Sequence, residues 1–129
     1  MSKVYHLDHI HILSRDPEAA ARYYRKMFDA KVIESVGPDG SPRIDLELDG
    51  ITLFIFRVGP EEKLPDSPID RYVGLDHFGL RVDDLDRVAA ELKRRGAEFA
   101  MEPKTLRAGL KIAFLRAPEN VRIELLERS

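Results

Sequence analysis

Two histidines, His9 and His77, and one carboxylate, Glu124, are the residues whose types and placement could jointly carry chemistry. His9 stands in Leu7-Asp8-His9-Ile10-His11-Ile12. His77 stands in Leu75-Asp76-His77-Phe78-Gly79-Leu80, 68 positions on (9 to 77), so Leu-Asp-His occurs twice in matching surroundings. Two imidazoles and a carboxylate form the donor set of a mononuclear divalent ion that keeps open positions. Such ligands must come from separate strands, because neighbours on one strand face lie about 6.6 Å apart. The same spacing excludes His11 as a co-ligand of His9 and leaves it a pocket-lining residue, or a general acid or base beside the site. The competing reading is two pocket histidines hydrogen-bonded to backbone, with Glu124 paired to Arg122 or Arg81. The repeat-equivalent placement of the two histidines favours the metal.

The elements that must position these residues repeat as well. An acidic residue follows each Leu-Asp-His at the same offset, Asp16 and Asp84, and each is an expected helix N-cap. Pro17 suits the first helical position, where its missing N–H costs nothing. Ala20, Tyr23, Tyr24 and Met27 make the apolar stripe of the first helix, and Leu85, Val88, Ala89 and Leu92 that of the second, with Gly96 as its stop. Three strand-like runs follow each helix, at 31–36, 43–48 and 52–57, then at 98–101, 110–116 and 121–127. They are separated by turn residues such as Gly37 to Gly40, Asp49-Gly50 and Ala117 to Asn120. The expected class is therefore α+β. One domain spans 1–129 as two βαβββ modules, about 4–58 and 73–128, with a proline-rich linker at about 59–72. Neither module alone would bury much surface.

Period-two alternation assigns the faces. Ile10, Phe78 and Ile123 belong to the faces that the helices cover. His9, His77 and Glu124 fall on the opposite face, with Thr52, Phe54, Phe56, Arg122 and Leu126. Phe54, Phe56 and Leu126 read as pocket wall, Tyr23 and Tyr24 as helix core, and His6 as a surface residue. Lys104, Arg107 and Lys111 border the Gly109 loop and are candidates for recognising an acidic substrate.

Composition narrows the class of function. The 129 residues are 43 % apolar and 34 % charged, with a net charge of −2, which argues against a nucleic-acid binder. Zero cysteines exclude disulfides, thiolate zinc sites and a cysteine nucleophile. No apolar run reaches the roughly 18 residues of a membrane span, and the first fifteen residues lack a signal-peptide core. The expectation is a soluble, cytoplasmic protein with a small-molecule substrate and neither a nucleic-acid nor a membrane partner.

These residues resemble the vicinal oxygen chelate superfamily, which includes glyoxalase I, bleomycin-resistance proteins and extradiol dioxygenases. The resemblance rests on the two Leu-Asp-His openings, on Asp16-Pro17-Glu18 through Tyr23-Tyr24, and on Ala117-Pro118-Glu119-Asn120-Val121-Arg122-Ile123-Glu124-Leu125, where Ala117 replaces a frequent Asp. It implies paired modules curling a mixed sheet around a metal cavity with helices outside, commonly as a homodimer. It implies metal ligands at His9, His77 and Glu124, and a divalent ion that could be iron, manganese, nickel or zinc. Glyoxalase I and methylmalonyl-CoA epimerase have a fourth ligand, Glu or Gln, at a position that here falls on Phe54. Losing that carboxylate favours three-ligand, dioxygenase-like chemistry on a substrate chelating through adjacent oxygens, with Glu124 and His11 as catalytic candidates. A glyoxalase-type lyase or isomerase is the alternative, with Glu47 (through a shifted register) or the more remote Glu34 as its second base. A metal-free, bleomycin-type binding protein is the other.

Overall fold

The computed structural model describes residues 4–129, which form an α+β fold in two compact units that divide between Leu64 and Pro65. The first unit contains β1 (His9–Ser14), α1 (Pro17–Phe28), β2 (Lys31–Val36), β3 (Pro42–Leu48) and β4 (Ile51–Arg57). Its four-stranded mixed sheet has the order β1-β4-β3-β2, with β1 parallel to β4 and the other pairs antiparallel. Asp16 caps α1, its carboxylate accepting from the Ala19 N–H at 3.1 Å, and Pro17 opens the helix as the sequence predicts. The helix stops at Asp29 in the left-handed conformation, φ 56°. Ala20, Ala21, Tyr24 and Met27 are buried on the helix side, together with Leu46, Leu53 and Ile55 of the sheet. Each of the larger side chains contributes about 1.5–3 kcal/mol through burial. Burial also pushes the Tyr24 phenol well above its ordinary pKa, with the neighbouring Tyr23 adding to the shift. The β3–β4 hairpin turns on Asp49-Gly50, both at positive φ, the pairing that a tight hairpin twist requires.

The second unit repeats the plan with β5 (Phe78–Arg81), α2 (Leu85–Arg94), β6 (Glu98–Arg107), β7 (Leu110–Arg116) and β8 (Arg122–Arg128). The sheet order is β5-β8-β7-β6, again with the first and last strands parallel. Asp84 caps α2 and Gly96 follows it at φ 92°. The strands expected at 43–48, 52–57 and 121–127 shift by one residue at one or both ends, and two further differences are larger in consequence. β6 runs well past residue 101 because it is an edge strand. Pro103 sits in a register irregularity between Met101 and Lys104, where a missing N–H costs the sheet nothing. His77 lies one residue before β5 instead of within it.

Candidate functional site

In the first unit the parallel register sets His9 beside Thr52, His11 beside Phe54 and Leu13 beside Phe56. These residues share the face away from α1, because the intervening Ile12, Leu53 and Ile55 are the buried ones. The His9 ring packs on Phe54 at 4.3 Å between centroids, and His11 packs on Phe56 at 4.2 Å. β3 adds Asp45 opposite Phe54 and Glu47 opposite Thr52, so Glu47 reaches the His9 face without any shift of register. Glu34 pairs with Ile44 and belongs to the other side. The Arg43 guanidinium lies over Phe54 and Phe56, at 4.7 and 5.1 Å from their centroids, and its Nε donates to Asp45 at 3.1 Å.

The second unit gathers a tighter group. His77 Nε2 lies 3.4 Å from Glu124 Oε1, and His77 Nδ1 lies 2.7 Å from Asp76 Oδ2. Arg122 donates to both Asp76 oxygens at 3.0 and 2.9 Å and stacks on Phe114, so it braces Asp76 instead of pairing with Glu124. The hydrogen bond with His77, followed by the charge of Arg122, holds the Asp76 carboxyl below the usual carboxylate range. Gly79 stands opposite Glu124; a Cβ there would lie 3.6 Å from Glu124 Oε1 and 3.3 Å from Leu126 Cδ2. The absent side chain leaves the carboxylate room.

Both Leu-Asp-His segments make the same local bond. His9 Nδ1 lies 2.8 Å from Asp8 Oδ2, as His77 does from Asp76. A carboxylate on Nδ1 fixes that nitrogen as the donor in the neutral ring and leaves Nε2 with the lone pair that a metal takes. Sequence reasoning gave these aspartates no role, although their identity in both copies was the available signal. The Arg43–Asp45 pair left no signal beyond its alternation along β3.

The donor chemistry suits a divalent ion. Ligands about 2.1 Å from one metal sit roughly 3 Å apart, close to the His77–Glu124 separation. Among the described residues no three His, Asp or Glu side chains are gathered as a metal-holding group. His77 and Glu124 meet within the second unit, and His9 belongs to the first. The cations at 104–111 do not converge, because Lys104 pairs with Ile112 and Lys111 with Thr105, one residue out of phase. Lys111 is moreover tied to Asp86 at 3.0 Å.

No helix of the described residues is long and apolar enough to cross a membrane. The chain is 30 % identical to the uncharacterised protein YwkD of Bacillus subtilis over 95 % of its own length and 96 % of that protein's. It is 26 % identical to the probable chloroplastic lactoylglutathione lyase of Arabidopsis thaliana over 92 % of its length, and spans about a third of that relative (35 %). The solved structure of SMU.1112c superposes with a TM-score of 0.77 at 25 % identity, covering 97 % of this chain and all of that one. The profile of one family matches residues 6–125, and with the repeated modules it shows that this chain belongs to the Glyoxalase/Bleomycin resistance protein/Dioxygenase superfamily.

Proposed function

We propose that the chain is a divalent-metal enzyme acting on a small molecule that chelates through adjacent oxygens, with His9, His77 and Glu124 as the ligands. The observation that carries this reading is the aspartate on Nδ1 of both histidines, which leaves the two Nε2 atoms as metal donors. Bound there, the ion would act as a Lewis acid on the chelated oxygens. The protein's own contributions follow from the geometry. Asp8 and Asp76 hold the imidazoles in one tautomer, and Arg122 braces Asp76. Phe54 and Phe56 pack against His9 and His11 and give that face an aromatic floor. His11, packed on Phe56, is a further proton carrier on that face. Phe54 packing on His9, where relatives with four ligands place a carboxylate, favours three-ligand, dioxygenase-like chemistry.

A second reading, a lyase or isomerase of the glyoxalase type, draws on Glu47. This carboxylate shares the face of Thr52 and His9 and could serve as the second base that such chemistry uses. We further propose a cytoplasmic location, and a homodimer that a monomer in light scattering at micromolar concentration would refute.

Metal titration by calorimetry tests the central claim. The wild type should take about one divalent ion per chain, and the triple variant His9→Ala/His77→Ala/Glu124→Ala should take none while keeping its circular dichroism. A wild type that binds no metal at micromolar affinity would move the protein to the metal-free binders of the superfamily.

A further inference from the structure

The geometry points to Arg43 as the residue that recognises a carboxylate on the substrate, separate from the oxygens that chelate the metal. The inference rests on the reading of the His9 face as the substrate face. Arg43 is an unusually constrained arginine. Its guanidinium lies across Phe54 and Phe56, and its Nε is spent on Asp45, whose side chain is only 12 % exposed. Nη1 and Nη2 make no hydrogen bond within the described residues. Two of the guanidinium nitrogens are therefore unspent, on a group whose plane the rings and whose turning Asp45 already restrict. That is the preorganised fork a planar carboxylate binds in two parallel hydrogen bonds. Ordering costs little on binding because Arg43 is already ordered. Phe54 links this fork to the metal side of the face, with His9 packed 4.3 Å away and the guanidinium carbon 4.7 Å away. The ligand class is a chelating small molecule bearing a carboxylate about one aromatic ring away from its chelating oxygens. The cations at 104–111, split between two faces, do not offer such a fork.

Catechol and 3,4-dihydroxybenzoate form a matched pair for the test, since both chelate through adjacent oxygens and only the second carries a carboxylate. With zinc-loaded wild type, calorimetry should find 3,4-dihydroxybenzoate bound about tenfold more tightly than catechol. Arg43→Gln should erase that preference without changing the affinity for catechol. In zinc-free protein, benzoate should move the Arg43 Nε–H resonance, identified by its loss in Arg43→Lys, and benzamide should not. Equal affinities for the two diols in wild type overturn the assignment. So does an Arg43→Gln variant that weakens both diols alike, which would make Arg43 only a clamp on the two phenylalanines. If catechol fails to bind zinc-loaded protein while benzoate still moves the Arg43 signal, the metal reading falls and the carboxylate site stands. If benzoate and benzamide act alike, the carboxylate site falls whatever the zinc result.

Discussion

Asp76 touches His77 through one oxygen and Arg122 through both, so its charge and its shape do separate work. Asp76→Asn keeps the shape and removes the charge that makes the imidazole a better donor. Metal affinity should fall about 10–100-fold with the circular dichroism unchanged, and Asp8→Asn should act in the same direction. Calorimetric titration with zinc checks both. Phe54 tests the number of ligands. Its ring faces His9 and lies away from the helix core, so Phe54→Glu should add a ligand and tighten metal binding by about 1–3 kcal/mol. The apo-protein should tolerate the change, because Arg43 lies 4.7 Å above that ring and can pair with the new carboxylate. Any oxygen-dependent turnover should disappear, since a fourth ligand occupies a position that the chelating substrate and dioxygen need. Unchanged zinc affinity in Phe54→Glu would remove position 54 from the site.

At the scale of elements, the two caps set the cost of losing a helix start. Asp84→Ala frees the Arg87 N–H, and Asp16→Ala frees that of Ala19. Each should cost about 1 kcal/mol in urea unfolding. Near the end of α2, hydrogen bonds from Arg94, then Arg95, hold the Glu91 carboxyl below its ordinary pKa. A carboxyl depressed in the folded state stabilises above its unfolded pKa and loses that contribution as pH falls through the folded value. Replacing Glu91 by Gln should therefore lower the plateau near pH 7 slightly, the site being exposed, and leave the acid end of the melting profile almost unmoved. The helices were legible in sequence because caps and apolar stripes are local signals, and they lie where Asp16, Pro17, Asp84 and Gly96 put them. The strand faces were legible because Ile12 is buried between the outward His11 and Leu13. Pro103 hid the length of β6, since a breaker's meaning depends on whether its strand lies at an edge. The Arg43–Phe54 contact joins two strands, and no local pattern encodes it.

For the whole molecule, a ligand that binds only the folded chain should raise its stability by mass action, about 2.7 kcal/mol at a hundred times the dissociation constant. Zinc should accordingly raise the melting temperature, and a chelator should reverse the gain. The triple ligand variant should melt at one temperature with or without the metal. How that gain divides between rates depends on the parallel pairing of the first and last strand in each unit. His9 pairs with Thr52 and Phe78 with Ile123, so each opening strand waits for a partner made only after the unit's helix and its intervening strands. Such closure is the entropically slow part of folding, and the hairpins, being local, form ahead of it. The Leu-Asp-His segments are thus expected to dock late and to detach early. Metal held by them would be absent from the transition state, so zinc should slow unfolding in stopped-flow experiments and leave the refolding rate almost unchanged. A protein of this design would keep its ion through a long native lifetime and lose it when an opening strand detaches.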